Sequence, residues 1–130
     1  MPRRIKHIVV VDPELLSESV KRLGSLGYRI TRLNATDIGD DATGKGAIYL
    51  VNVTRAGFDG IGLIRRLREG HSNTWIIAVS HGDRGMRPDI YLTFARIVGA
   101  DRTLFRPTTS DLLAALPQTM HRKRRERLPS

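Results

Sequence analysis

Four polar residues each lie at the end of an apolar run of the sequence: Asp12, Asn52, Ser80 and Arg106. Together they offer a carboxylate, an amide, a hydroxyl and a guanidinium. If the apolar runs are parallel strands of one sheet, their carboxyl ends open on a shared crevice, which is where ligands bind in such sheets. The pattern therefore predicts a polar site. The alternative is that these strand ends are polar only because they meet solvent.

The apolar runs predict the strands that would position these residues. His7–Val11, Ala47–Val53 and Trp75–Ser80 are almost continuously apolar, which is typical of parallel strands buried on both faces. Tyr28–Asn34 and Thr103–Phe105 predict two weaker strands. The sequence therefore contains enough strand signals for a five-stranded parallel sheet.

In the segments between the predicted strands, apolar residues recur with the spacing of a helix. This spacing predicts helices over Glu14–Leu26, Ile61–Arg68, Asp89–Val98 and Ser110–Leu116. A further helix of two turns would fit within Asp37–Gly46. With it, the chain is an α/β protein of (βα)5 type, a doubly wound parallel sheet with helices on both faces.

Two details of these helices are also predicted. In the third helix, the apolar residues Ile90, Phe94, Ile97 and Val98 are expected to face the core. Ser110 is expected to cap the N-terminus of the last helix, because a serine oxygen accepts the free backbone N–H groups there.

Composition excludes several classes of protein. The chain has 130 residues, 40% of them apolar, and no cysteine. A disulfide framework and thiol catalysis are therefore excluded, and one globular domain in a reducing, cytoplasmic compartment is expected. No apolar run approaches the roughly 20 residues that cross a bilayer. The run after the basic N-terminus is too short for the core of a signal peptide.

The net charge of +9 is concentrated at the two ends of the chain. We expect a domain over residues 1–118 and a basic tail over 119–130, whose cations are Arg122, Lys123, Arg124, Arg125 and Arg127. Such a tail attracts anionic partners, nucleic acid among them, or simply aids solubility. No aromatic residue lies within the basic run to stack on bases, which argues against nucleic acid.

Four motifs in order resemble the receiver domain of bacterial response regulators, over about residues 5–116. They are Ile8–Glu14, Ala47–Asn52 with Thr54–Gly60, Trp75–Ser80, and Gly99–Asp101 with Leu104–Pro107. The resemblance implies the flavodoxin-like, CheY-like receiver architecture. It also implies a place in two-component or phosphorelay signal transduction.

The sequence departs from that family at most of the positions that carry its chemistry. The family uses an acidic pair, an aspartate phosphoacceptor, a Ser or Thr and a Lys. Here Asp12 is followed by Pro13, Asn52 occupies the phosphoacceptor position, Ser80 is retained and Arg106 replaces the Lys. Thr103 occupies the position of the aromatic switch residue. The degenerate acidic pocket would comprise Asp12, Pro13, Asn52 and Thr54.

Each departure has a chemical consequence. An amide is a poor nucleophile, so Asn52 should not form an acyl phosphate. Mg2+ prefers carboxylate oxygens, and Pro13 supplies no side-chain ligand, so no metal or other cofactor is expected. Arg106 has a planar guanidinium that would be able to pair directly with Asp12. These features predict a pseudo-receiver, which has the fold without the phosphotransfer.

The leading interpretation is a single-domain receiver-like protein that acts through protein–protein contacts. The resemblance implies an output surface within Asp89–Leu116, on which Tyr91, Arg96 and Arg102 are candidate contact residues. The expected partner is a histidine kinase or another signalling protein, and a homodimer is a further option. Two alternatives stay open: a conventional phosphoaccepting receiver, and a nucleic-acid-binding protein that uses the basic tail.

The sequence contains no motif that predicts an enzymatic activity. Gly39–Gly46 nearly matches a phosphate-binding loop, but Gly46 stands where the motif needs a hydroxyl, and a strand rather than a helix follows. No pairing of a nucleophile with a base has the spacing of a known catalytic motif. The protein is therefore not expected to be an enzyme.

Overall fold

The computed structural model describes residues 7–11, 17–33, 48–54, 59–70, 74–82 and 87–117. Within these ranges, five parallel strands form one sheet in the order β2-β1-β3-β4-β5. Their bounds are β1 His7–Val11, β2 Arg29–Leu33, β3 Ile48–Asn52, β4 Trp75–Ser80 and β5 Arg102–Phe105. The three strands predicted from continuous apolar runs are the central ones, because only central strands are covered on both faces.

Four helices in the described residues cover the two faces of the sheet: α1 Ser17–Ser25, α2 Gly60–Gly70, α3 Pro88–Val98 and α4 Thr109–Ala115. Leu63 and Ile64 of α2 and Ala95 of α3 pack with Val9 and Val51 on one face. The other face carries α1 and α4, whose buried residues pack with the intervening strand residues, Ile8, Val10 and Leu50. Adjacent residues along a strand point to opposite faces, so each strand serves both cores.

The predicted doubly wound α/β fold is confirmed, and the elements begin and end within a few residues of the predicted bounds. The additional helix expected within Asp37–Gly46 lies outside the described residues. So do residues 118–130, so the boundary between domain and basic tail stays a prediction. Of the described helices, none combines the length and the apolar character needed to cross a membrane.

One prediction about α3 is wrong. Ile90, Phe94 and Ile97 do not face the core; they are 40%, 50% and 72% exposed. The buried residue of this helix is Ala95, while Tyr91, Leu92 and Val98 pack partly against the core. The helix is apolar on two faces, and helical periodicity alone does not determine which face turns inward.

The prediction that Ser110 caps the last helix is also wrong. The cap is Thr108, whose hydroxyl oxygen accepts from the backbone N–H of Asp111 at 3.1 Å. The Asp111 carboxylate accepts in return from the backbone N–H of Thr108 at 2.9 Å. This reciprocal pair satisfies two donors at once, which a cap at Ser110 would leave free.

At the amino edge of the sheet, Arg68 joins four elements. Its guanidinium donates to the carbonyl oxygens of Gly99 and Thr74 at 2.8 Å and pairs with the Asp101 carboxylate at 2.7 Å. That carboxylate also accepts from the backbone N–H of Ile76 at 2.8 Å. One half-buried side chain thus links the C-terminal ends of α2 and α3 to the starts of β4 and β5.

We expect Arg68→Ala to lower the free energy of unfolding by about 2–3 kcal/mol, because several hydrogen bonds to a charged group are lost together. Arg65→Ala, at an exposed position of the same helix, is the matched control and should change it by less than about 0.5 kcal/mol. Urea denaturation of both variants measures the difference. Equal midpoints would show that the Arg68 network adds nothing to stability.

At the opposite edge, α2 begins in direct contact with the end of β3. A Cβ atom at Gly60 would lie 2.3 Å from the carbonyl oxygen of Asn52 and 3.1 Å from the Cα atom of Val53. Both neighbours are backbone and cannot rotate away. Gly60 is therefore required for the close approach of α2 to β3.

Gly60→Ala should destabilise the protein by about 1–3 kcal/mol, the usual range for overpacking. Gly70→Ala is the matched control, since a Cβ atom there meets nothing within 4 Å. It should be neutral or slightly stabilising, because alanine favours a helix more than glycine does. Thermal unfolding compares the two; a Gly60 variant as stable as the Gly70 variant would contradict the close approach.

Candidate functional site

The site is built around the last residue of the central strand β3. Asn52 pairs with Val79 of β4 and is only 4% exposed. Val53 continues the pairing, since its backbone N–H donates to the carbonyl oxygen of Val79 at 2.9 Å. β3 lies between β1 and β4, so Asn52 is held at the middle of the carboxyl edge.

The Asn52 side chain is bound by the backbone that follows it. Its amide oxygen Oδ1 accepts from the backbone N–H of Thr54 at 2.9 Å, and the Thr54 hydroxyl lies 3.4 Å from the same oxygen. This is the local turn that Asn and Asp form with the backbone two residues ahead. The carbonyl end of the amide is therefore already satisfied within the chain.

Thr54 connects Asn52 to β4. Its hydroxyl lies 2.8 Å from the hydroxyl of Ser80, and the backbone N–H of Gly82 donates to Ser80 Oγ at 3.1 Å. Thr54 and Ser80 are fully buried. If Thr54 donates to Asn52, each group gives one hydrogen to the next, from Gly82 through Ser80 and Thr54 to Asn52. We call these four residues the polar chain.

The polar chain is neutral. It contains an amide, two hydroxyls and a backbone N–H, none of which carries a charge at neutral pH. In the ranges that the structure describes, no three His, Cys, Asp or Glu side chains come close enough to hold a metal ion. In the described part of the site, the amide oxygen of Asn52 and the hydroxyls of Thr54 and Ser80 are thus satisfied by hydrogen bonding without a counter-ion. The buried Nε2 of the neighbouring His81 has no hydrogen-bond partner among the described residues.

Arg106 follows the end of β5 and lies on the surface. Its backbone N–H donates to the carbonyl oxygen of Ser80 at 2.8 Å. Its side-chain Nε donates to the carbonyl oxygen of His81 at 3.2 Å, and its guanidinium lies 5.0 Å from the centre of the Phe105 ring. Its φ of 48° is in the left-handed region, which is unfavourable for a side chain of this size. The guanidinium thus contacts the segment after β4.

The other predicted site residues lie on β5 and α3. Thr103 pairs with Ala78 and is half-buried. Tyr91 is half-buried against the core, whereas Arg96 is exposed. Arg102 is exposed and lies 5.4 Å from the centre of the Trp75 ring. Tyr91 therefore offers less surface to a partner than the arginines do.

Two groups of predicted residues lie outside the described ranges. Asp12 and Pro13 follow β1 directly, so the pairing expected between Asp12 and Arg106 stays a prediction. The cations of the tail lie there too: Arg122, Lys123, Arg124, Arg125 and Arg127.

Sequence reasoning named Thr54 and Ser80 but did not predict that they touch. They are separated by 26 positions in the chain, and no motif links a Thr to a Ser at that distance. The available signal was topological: both residues follow neighbouring parallel strands, whose ends lie at one edge. The contact depends on the register of β3 against β4.

We expect Thr54→Val to lower the free energy of unfolding by about 1–3 kcal/mol, because the buried Ser80 hydroxyl loses one of its two hydrogen-bond partners and keeps only the backbone N–H of Gly82. Thr93→Val is the matched control: its hydroxyl donates to the carbonyl oxygen of Asp89 at an exposed position. Adding Ser80→Ala to Thr54→Val should cost less than the sum of the single variants, since the pair interacts. Strict additivity in urea denaturation would contradict the contact.

We compared the sequence and the fold with those of known proteins. No protein-family model and no curated protein matches the sequence. Solved structures do match. A response regulator signal receiver domain from Bermanella marisrubri is 26% identical, covers 85% of this chain and 94% of its own length, and gives a TM-score of 0.65.

Two further structures extend the likeness over nearly the whole chain. A CheY-like response regulator receiver domain protein from Methanospirillum hungatei is 18% identical, with 95% of this chain and 99% of that chain covered and a TM-score of 0.71. A response regulator from Burkholderia pseudomallei, solved with a phosphorylated aspartic acid, calcium ion and citrate, is 20% identical, with coverage of 95% and 73% and a TM-score of 0.67. The resemblance found in the sequence is thus confirmed, and the chain has the fold of the response regulator receiver domains.

Proposed function

We propose that this chain is a receiver-like signalling protein that works without phosphorylation, through contacts with other proteins. The receiver fold supports the signalling role. The observation that carries the rest of the proposal is the state of Asn52: a neutral amide at the end of the central strand, with its oxygen held by the backbone N–H of Thr54.

Phosphotransfer needs a nucleophilic oxygen at this position. A carboxylate attacks a phosphoryl group because its oxygen carries charge, whereas an amide oxygen is neutral and a weak nucleophile. The bond from Thr54 further restricts Asn52 Oδ1. The neighbour from Burkholderia pseudomallei carries a phosphorylated aspartic acid, and the corresponding chemistry is not available to an asparagine.

The side chains do not fit the divalent cation that receiver domains hold. Hard cations are bound by carboxylate and carbonyl oxygens. At the three motif positions that carry carboxylates in the family, the sequence retains one carboxylate, Asp12, while Pro13 has no donor atom in its side chain. The amide oxygen of Asn52 is already an acceptor for Thr54. We therefore assign no metal-dependent step to this protein.

A signalling protein that is not phosphorylated would bind its partner through a surface whose conformation stays the same. The polar chain supports this, because Thr54 and Gly82 both bond to Ser80 and so fix the start of the segment after β4. α3 follows that segment and, with β5, supplies exposed residues to a partner such as a histidine kinase or another signalling protein. Arg96 and Arg102 are among those exposed residues.

Incubation with acetyl phosphate and Mg2+ tests the proposal. We expect no phosphate on the native chain by intact-mass spectrometry, while a conventional receiver domain treated in parallel gains one. Peptide mapping locates any phosphate that is found. Phosphate on a residue of the Asn52 edge would establish the conventional receiver function instead.

Two variants separate the roles of the amide and the proline. Asn52→Asp alone should remain largely unphosphorylated, because Pro13 leaves the cation short of a ligand. Asn52→Asp combined with Pro13→Asp restores three carboxylates and should gain measurable phosphate. If the single variant is phosphorylated as fully as the double, the proline is not a limiting feature and that part of the argument is wrong.

A further inference from the structure

The described helices all run in the same direction, and their charges follow that direction. Each helix follows the carboxyl end of a strand and runs back toward the amino edge of the sheet. Carboxylates lie in or just before the first turns of the helices: Glu18, Asp59, Asp89 and Asp111. Arginines lie in the last turns of α1, α2 and α3: Arg22, Arg68 and Arg96. The helix dipole favours this arrangement, which collects cations at the amino edge.

Two strands add arginines to the same edge. Arg29 begins β2 and Arg102 begins β5, and both are exposed. Arg29 is in register with His7 of β1. Burial lowers the pKa of the His7 imidazole below its usual range, and the charge of Arg29 lowers it further, so His7 itself is neutral at pH 7. The guanidinium of Arg102 lies 5.4 Å from the centre of the ring of Trp75, which begins β4.

The amino edge is wide enough to lie along a charged polymer. β2 and β5 are the outer strands, with β1, β3 and β4 between them. Because neighbouring strands are about 4.8 Å apart, Arg29 and Arg102 belong to strands that are roughly 19 Å apart. A nucleic acid duplex carries one negative charge per about 1.7 Å of its axis, so roughly 11 charges fit along this distance.

Both basic segments of the sequence are attached at this edge. Residues 1–6 directly precede His7 and contain several cations and no acid. The basic tail, residues 119–130, follows α4, whose end is held at the start of β4 because Trp75 Nε1 donates to the carbonyl oxygen of Ala115 at 2.9 Å. Most of the net charge of +9 is therefore connected to the edge opposite the polar chain.

The described carboxylates near this edge offset little of the charge. Asp101 is paired with Arg68 at 2.7 Å, which leaves Glu69, near the end of α2, against the exposed arginines of α1, β2 and β5. The edge is thus positively charged even before the two basic segments are added. Such a surface attracts polyanions.

The side chains at this edge favour a duplex over other polyanions. A membrane surface needs apolar side chains that insert together, but the large exposed apolar residues near this edge, Leu26 and Ile97, lie on helices that cover opposite faces of the sheet. Single strands are bound by stacking of bases on aromatic rings. The tail has no aromatic residue, and the ring of Trp75 lies under Arg102. A duplex presents phosphates, which guanidinium groups bind through paired hydrogen bonds.

We propose that the amino edge of the sheet binds the phosphate backbone of duplex nucleic acid, independently of base sequence. Arg29 and Arg102 contact phosphates from the two ends of the edge, and the two basic segments add further contacts. Phosphate contacts carry no sequence information directly. The inference goes beyond the proposed function and does not rest on it, because the Asn52 site lies at the opposite edge.

Fluorescence anisotropy of a labelled DNA duplex of about 24 base pairs, titrated with the full chain from about 50 to 300 mM salt, tests the proposal. We expect the affinity to fall steeply as salt rises, because binding releases the counterions of the phosphates. A second duplex of unrelated sequence should bind equally well, and the corresponding single strand more weakly.

Variants of the chain locate the contact. Arg29→Glu should weaken binding about tenfold at about 0.1 M salt and reduce the slope of log affinity against log salt by about 1, as loss of a phosphate contact does. Arg87→Glu is the matched control, because it makes the same change of charge at an exposed position before α3, near the carboxyl edge. It should leave the slope unchanged. Circular dichroism checks that each variant folds.

A further variant separates the edge from the tail. Arg124→Gln combined with Arg125→Gln should reduce the salt slope without abolishing binding, because the arginines of the edge remain. If this variant abolishes binding and Arg29→Glu has no effect, the tail alone is the binding segment and the assignment to the edge is wrong.

Several other results would overturn the proposal. Equal losses in Arg29→Glu and Arg87→Glu would show that binding follows net charge rather than the edge. No binding of either duplex, or strong preference for one of them, would also contradict it. Binding to vesicles containing phosphatidylserine that requires Arg29, without binding of duplex, would assign the edge to a membrane. Phosphate at the Asn52 edge would overturn the proposed function and leave the duplex result unchanged.

Discussion

The fold rests on the parallel pairing of β3 with β1 on one side and with β4 on the other. Parallel strands are joined by crossover connections, usually helices, and the described helices cover both faces of the sheet. The central strands must then be apolar throughout, as Val9 and Val10 of β1 and Leu50 and Val51 of β3 are. Polar residues are therefore confined to the strand ends. Because the strands are parallel, their carboxyl ends all lie along one edge of the sheet.

The polar groups at the two edges of the sheet are stabilised in different ways. At the amino edge, the ion pair of Arg68 with Asp101 is about a quarter exposed and reinforced by backbone hydrogen bonds, so its charges are compensated. At the carboxyl edge, Asn52, Thr54 and Ser80 are buried, neutral and bonded to one another. Buried polar groups are tolerated when they are paired, and these are paired without any ion.

α3 turns a small residue rather than its largest apolar residues toward the core. Turning Ile90, Phe94 and Ile97 inward would bury more apolar surface, at about 1.5–3 kcal/mol for each fully buried side chain. Instead the small Ala95 lies at the contact with the core, flanked by Tyr91 and Val98. A small residue at the contact lets the helix lie close to the sheet, and the larger side chains remain on the surface.

Residue patterns are enough to predict the parallel sheet, the approximate bounds of its elements and the residue types at the strand ends. Unbroken apolar runs indicate buried strands, and glycines indicate turns, because both signals are local in the chain. The replacement of a carboxylate by an amide at Asn52 is visible directly in the sequence, because it concerns only the type of residue. Three features could be read only from the folded chain: the contact of Thr54 with Ser80, the contact of Arg106 with the carbonyl oxygen of His81, and the apolar face of α3 that turns outward. These depend on strand register and helix rotation, which are fixed by packing between segments far apart in the chain.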